Sequence, residues 1–240
     1  MENYNEIKKL AKDIRISMLK MLLNLGFGHF GGSLSVVETL AVLYGAVMKI
    51  DPKNPNWEGR DYMVLSKGHA GPALYAALAI KGYFPKEELM TLNVNGTHLP
   101  SHPDRLLTKG VDATTGSLGQ GVSLATGIAM AEKLSGKDNR VFTILGDGEL
   151  NEGQCWEAFQ FIAHHNLNNL TVFVDYNKLQ LDGTLEEIIK PFSLTEKFKT
   201  FGFDSVEVKG DDIEGIYNLL KNPRGENERP LAVILDTKKG

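Results

Sequence analysis

The pattern of apolar and polar positions divides the chain into helical and extended segments. Ile7, Leu10, Ala11, Ile14, Met18, Met21, Leu22 and Leu25 recur at helical spacing, which predicts an amphipathic helix that Gly26 ends. A second helix is expected after Ser33 or Ser35, running to about Met48, with Ser35 and Glu38 spaced as a capping box. Turn-forming residues at 51–59 separate it from a short apolar strand, Tyr62–Leu65. A helix with Pro72 at an early position follows, to about Lys81. Residues 93–117 show no periodicity and hold two His, two Pro and three Gly; a loop this long predicts a functional segment. Ser117-Leu-Gly-Gln-Gly121 then leads into a helix ending near Leu134.

Three β-branched apolar runs come later, at 141–145, 170–174 and 231–235, with a weaker one at 205–208. Helical runs lie among them at about 152–164, 195–201 and 213–220. Strands alternating with helices predict βαβ units, and strands apolar almost throughout predict a sheet covered on both faces. The expected fold is therefore α/β, a mostly parallel sheet flanked by helices on both faces. No repeat or linker interrupts it, so residues 1–240 are read as one domain.

Composition narrows the function little. Apolar residues make up 42% and charged residues 23%, as in ordinary globular chains. The net charge of −4 and scattered basic residues argue against a nucleic-acid partner. No stretch of about 18 uncharged apolar residues is seen, so no membrane span is expected. The N-terminus lacks a secretory pattern, and the lone cysteine, Cys155, fits a reducing compartment, so the cytoplasm is the expected location.

Chemistry enters at the end of the 141–145 strand, which runs into Gly146-Asp147-Gly148-Glu149. In parallel sheets, ligands bind at the carboxyl ends of strands. Glycines on both sides of Asp147 let the backbone approach a bulky anion closely, and the helix beginning near Asn151 offers an N-terminus to a diphosphate. The next strand ends in Asp175-Tyr176-Asn177. If the two strands are neighbours, the Asp147 carboxylate and the Asn177 amide oxygen can share a hard cation such as Mg²⁺.

Gly146-Asp147-Gly148 followed after a helix by Asn177 resembles the thiamine diphosphate motif. The runs at 146–158 and 174–183 resemble transketolase. Gly28-His29-Phe-Gly-Gly32, Leu65-Ser-Lys-Gly-His69-Ala, Ser101-His102-Pro-Asp and Thr114-Thr-Gly-Ser-Leu-Gly-Gln-Gly121 match that family in order and spacing. The resemblance spans about residues 10–240 and implies the thiamine diphosphate-binding fold, in its diphosphate-type domain. It implies thiamine diphosphate with Mg²⁺ (or Ca²⁺ or Mn²⁺ in its place), held by Asp147, Asn177 and the Leu179 carbonyl.

By the same resemblance, Gly116, Leu118, Gly146, Gly148 and Glu152 contact or support the cofactor. His29, His69 and His102 match active-site histidines, which suit proton exchange with sugar hydroxyls because imidazole titrates near neutrality. His98 is left between substrate contact and structure, and Glu157 between support of the cofactor site or subunit interface and a plain helix acid, while Cys155, His164 and His165 are read as structural.

A complete transketolase is far longer. The part resembled here is the domain that binds the diphosphate end, and nothing corresponds to the pyrimidine-binding domain with its activating glutamate. The resemblance therefore implies the N-terminal subunit of a split transketolase acting on sugar phosphates, with a separate chain in an α₂β₂ assembly. A further family histidine expected after Thr237-Lys-Lys-Gly240 is absent, so either the chain is truncated or the natural protein is short. The rivals are a different thiamine diphosphate enzyme, such as a deoxyxylulose phosphate synthase or a 2-oxo acid dehydrogenase alpha chain, and a non-catalytic remnant that scaffolds a partner.

Overall fold

The computed structural model describes residues 2–181, 183–225 and 228–239. Asp182 of the second motif and the terminal Gly240 lie outside the described residues. Helix α1 (Glu2–Leu25) opens the chain, and Gly26 follows it at φ +85°, a conformation that glycine adopts without strain. Next come α2 (Phe30–Leu34), α3 (Val37–Val42) and a π-turn at Leu43–Val47.

This stretch departs from the single capped helix expected. Ser35 ends α2 instead of starting a helix, and its hydroxyl donates to Asp175 at 2.6 Å. Glu38 accepts from Arg15. A buried carboxylate without donors costs more than an uncapped helix end, so Asp175 wins the serine. The window Phe30–Val47 also corrects the expectation that no segment is apolar enough to span a membrane. Its 18 residues have a mean hydropathy of 1.5. Yet 67% of it is buried inside the protein and three elements break it, as suits a core segment.

Strand β1 (Tyr62–Leu65) leads through a 3₁₀ turn at Gly68–Ala70 into α4 (Gly71–Lys81). A further 3₁₀ turn, Lys86–Thr91, precedes the long loop, which ends at α5 (Gln120–Leu134). The loop is pinned at several points. Pro103 accepts from the Thr115 amide at 3.0 Å, and Asp112 accepts from the Met63 amide at 2.8 Å and from Arg60.

The second half contains β2 (Val141–Gly146), α6 (Gly153–His164), β3 (Leu170–Tyr176), the hairpin β4 (Leu179–Gln180) and β5 (Gly183–Thr184), and α7 (Leu185–Ile188). Then come α8 (Leu194–Thr200), β6 (Asp204–Lys209), α9 (Ile213–Leu220) and β7 (Leu231–Asp236).

The main sheet has the order β1-β2-β3-β7-β6, parallel throughout. Alternate residues of β1, β2, β3 and β7 feed two cores. Met63, Phe142, Ile144, Phe173 and Val233 meet α1, α3, α4 and α9 on one face. Val64, Leu145, Val172, Val174 and Ile234 meet α5, α6 and α8 on the other. The two-sided cover is the one expected from strands that read as apolar throughout. Because β2 and β3 are neighbours with Gly146 opposite Asp175, Asp147 and Asn177 emerge side by side at the carboxyl edge of the sheet.

Candidate active site

A cavity of about 600 Å³ opens at that edge. His29, His69, His102, Gly116, Leu118, Gly146, Asp147, Gly148, Asn177 and Leu179 all line it, brought together from separate stretches of the sequence. Glu152 does not. It is exposed at the N-terminal end of α6 and makes no capping hydrogen bond with its side chain. His98 lines a different hollow with Tyr83 and Lys109, away from His102. Glu157 is exposed on α6. Cys155 is buried, and burial pushes its thiol up to about 12, so it stays protonated.

Asp147 is 3% exposed. Its carboxylate accepts from the Gly148 amide at 2.8 Å and from the Lys178 amide at 2.6 Å. Burial nevertheless raises its pKa to about 6, outweighing these two hydrogen bonds. The Asn177 carboxamide is fixed in direction, because its Nδ2 donates to Asp175 at 3.0 Å and its Oδ1 accepts from the Leu179 amide at 3.1 Å.

Asp175 is the organising group beneath. It is fully buried and ion-paired with the equally buried Lys67 from the end of β1. Ser35, Thr237 and Asn177 also donate to it. Burial alone would raise its pKa, but the Lys67 charge and the Lys67, Ser35 and Thr237 hydrogen bonds prevail and hold it below the usual carboxylate range. Glu149 plays a similar part next door, accepting from Ser66, the Gly119 amide at 2.8 Å and the Gly146 amide at 3.0 Å. Sequence reasoning singled out neither Asp175, Lys67 nor Glu149. The signal available was a lysine and two acids placed at the ends of otherwise apolar strands.

The three histidines form one group. The His29 and His69 rings are 5.3 Å apart, and those of His29 and His102 are 6.4 Å apart. Glycines seat two of them. A Cβ on Gly32 would come within 2.9 Å of the His69 ring, and one on Gly116, at φ +147°, within 3.2 Å of His102. Burial, followed by the Lys67 charge, lowers the His69 pKa to about 3. Burial and His29 lower that of His102. At neutral pH His69 and His102 are therefore neutral imidazoles, each with one donor and one acceptor nitrogen.

The expected cofactor can be tested against these residues. A carboxylate, an amide oxygen and a backbone carbonyl make an all-oxygen set suited to a hard divalent cation. Among the described residues no group of three or more His, Cys, Asp or Glu could hold a metal, as fits a set with only one such ligand. The cavity wall also carries an orphaned polar atom. Gln180 Nε2 is buried without a hydrogen-bond partner, and the Gln180 side chain would lie 3.1 Å from a Cβ on Gly148. The bare glycine lets the Gln180 side chain pack close, and a phosphate beside it would bring the missing acceptor.

Comparison with known proteins agrees. The family described as transketolase, thiamine diphosphate binding domain, matches residues 7–240. The chain is 48% identical to a 6-deoxy-6-sulfo-D-fructose transketolase subunit of Clostridium sp. (strain MSTE9), a match covering 100% of this chain and 87% of that protein. It is 39% identical to an apulose-4-phosphate transketolase subunit of Actinobacillus succinogenes, covering 99% and 86%. It superposes on the transketolase from Leishmania mexicana with a TM-score of 0.90 and 32% identity, over 96% of this chain. It spans 36% of the length of that solved chain.

Two outcomes are expected. In Asp175→Ala the buried Lys67 charge loses its partner, which costs roughly 3–5 kcal/mol of stability in urea unfolding. Replacing Lys67 by Met and Asp175 by Leu together should recover much of it; an Asp175→Ala protein as stable as the parent would refute the ion pair's role. His69 should also show no imidazole protonation by NMR between pH 8 and pH 5. Its folded pKa of about 3 lies below the unfolded value of about 6.5. The stability it contributes is thus complete above pH 6.5 and is lost as pH falls below that value towards about 3. A His69 midpoint near 6.5 would contradict this.

Proposed function

We propose, for a chain that belongs to the transketolase family and carries its thiamine diphosphate-binding domain, that it is the N-terminal subunit of a two-chain transketolase. The reaction is transfer of a two-carbon ketol unit from a ketose phosphate to an aldose phosphate. The second chain supplies the pyrimidine-binding domain, in an α₂β₂ assembly in the cytoplasm. The observation that carries the reading is the single cavity that gathers Asp147, Asn177, His29, His69 and His102. The two subunit-type relatives are named for a sulfonated ketose and for apulose 4-phosphate, which supports a ketose with an anionic end as donor.

Asp147, Asn177 Oδ1 and the Leu179 carbonyl would hold Mg²⁺, and Gly148 would admit the diphosphate. Thiamine diphosphate, when bound, supplies the electron sink for breaking and making the carbon–carbon bond. The chain's own residues bind, orient and move protons. The Asp175–Asn177 hydrogen bond aims the amide oxygen away from the protein interior and towards the metal position. A neutral His69 donates one hydrogen bond and accepts another, so it orients sugar hydroxyls without adding charge. His102, held towards its neutral form, is available to take the proton released by the donor hydroxyl and return it to the acceptor oxygen. His29, between the two, completes the rim that the sugar meets.

No observation on the site favours the rivals. The buried Lys67–Asp175 pair and the oriented Asn177 are costly to keep in a scaffold that binds nothing.

Asp147→Ala is expected to abolish Mg²⁺-dependent binding of thiamine diphosphate to the assembled enzyme, measured by calorimetric titration. His69→Ala should bind the cofactor nearly as before while turnover of ketose phosphate falls by about two orders of magnitude. Unchanged cofactor binding in Asp147→Ala would sink the metal assignment. Loss of binding with normal turnover in His69→Ala would sink the role given to that histidine.

A further inference from the structure

The wall of the cavity holds a hydrogen-bond donor that the protein itself does not satisfy. Gln180 lies on β4, next in the chain to Leu179, and lines the cavity with Asp147, Gly148 and Asn177. Its backbone is set by the hairpin, where it faces Gly183, and by the Leu179 amide before it, which donates to Asn177 Oδ1 at 3.1 Å. Its side chain packs on Gly148: a Cβ there would come within 3.1 Å of Gln180 Cβ and 3.2 Å of its Oε1. Gln180 Nε2 is buried and has no hydrogen-bond partner among the described residues. A buried donor without an acceptor destabilises the empty protein, so its presence calls for a reason.

The acids of the wall are already engaged. Asp147 accepts from the Gly148 and Lys178 amides, and Glu149 accepts from Ser66 and from the Gly119 and Gly146 amides. The acceptor that Gln180 Nε2 lacks is therefore one that a ligand supplies. The neighbouring carboxamide shows the opposite arrangement. Asn177 gives its Nδ2 to Asp175 at 3.0 Å, which leaves its oxygen for the cation position. Asn177 and Leu179 are the proposed cation ligands, and Gln180 follows them directly in the chain. A divalent cation that takes phosphate groups into its shell brings their oxygens to this same stretch.

We infer that Gln180 is a diphosphate-binding residue, its Nε2 donating to a phosphate oxygen of the bound cofactor. This rests on the thiamine diphosphate reading above and adds a contact to it. The two carboxamides of the wall then divide the work: Asn177 offers an oxygen to the cation, and Gln180 offers a nitrogen to the anion. A hydrogen bond to an ionised acceptor is stronger than one between neutral groups. Gln180 itself carries no charge, so the share of affinity it supplies should depend little on ionic strength. The same residue should weaken the empty protein and strengthen the loaded one.

The test is a calorimetric titration of the full chain, and of the chain with its partner subunit, at fixed Mg²⁺. The probes are thiamine diphosphate, inorganic pyrophosphate and thiamine. Gln180→Met keeps the length of the side chain and removes the donor. It should weaken thiamine diphosphate and pyrophosphate about tenfold, as expected for one hydrogen bond to a charged group. Thiamine binding should stay unchanged, and the ratio of parent to variant affinity should hold as salt rises. Gln180→Glu, which puts a carboxylate in the same place, should bind both phosphate ligands more weakly than Gln180→Met. Without ligand, Gln180→Met should unfold in urea at a concentration no lower than the parent, because an unpaired buried donor has been removed. A role in holding the empty fold together would move that midpoint down, and with unchanged affinities it would overturn the inference. Equal pyrophosphate affinity in the parent and Gln180→Met, or a Gln180→Glu protein that binds as well as the parent, would also overturn it and leave the cofactor reading standing. A parent that binds neither phosphate ligand, with or without its partner, would overturn both.

Discussion

The structure depends on one buried carboxylate. Asp175 gathers donors from four places in the sequence: Ser35 at the end of α2, Lys67 after β1, Asn177 just after its own strand, and Thr237 after β7. Each neutral hydrogen bond contributes about 1 kcal/mol, but leaving the acid or the lysine unpaired costs several times that. The network therefore acts as a constraint. It fixes how three strand ends and the α2–α3 corner meet, and it decides which face of Asn177 looks into the cavity. The chemistry at the sheet edge is set by a group buried beneath the cavity floor.

The parallel sheet explains why the site lies where it does. Strands β1, β2, β3 and β7 all deliver their carboxyl ends to one edge, and polar residues there escape burial between the two helical layers. The cavity is lined by backbone at its glycines, by neutral imidazoles and by a few oriented oxygens. It suits a ligand with a charged, oxygen-rich end. The chain spans 36% of the length of a solved transketolase, against 87% of a subunit-type relative. Both coverages suit the proposed reading, in which another chain completes the site.

Much of this was legible in the sequence. Four strands read clearly because apolar cover on both faces leaves near-continuous runs. The edge strand β6 read weakly because most of its residues are half exposed. The motif glycines and histidines pointed to one site through their resemblance, in order and spacing, to the transketolase motifs. Where the structure departs from these readings, or settles what they left open, the cause is physical. Ser35 and Glu38 have the spacing of a capping box, but a buried acid from elsewhere in the chain takes the serine. Glu152 and Glu149 look equivalent on paper, and burial separates them: Glu149 turns inward onto the Gly119 and Gly146 amides, whereas Glu152 faces solvent. His98 and His102 sit in a loop without periodicity, so their directions could not be read. Lys67 and Asp175 stand at strand ends, where polar residues ordinarily meet water.

The central claim is that this chain forms half of a thiamine diphosphate site and that another chain completes it. The most direct measurement is recovery of the tagged full chain from its native source, followed by identification of co-purifying protein, quantitation of bound thiamine diphosphate, and assay of ketol transfer from ketose phosphates. The account predicts a second chain recovered in equal proportion, cofactor bound in the complex, and activity that disappears when the two chains are separated. Full activity from this chain alone, or a stable complex with neither thiamine diphosphate nor transfer activity, would contradict it.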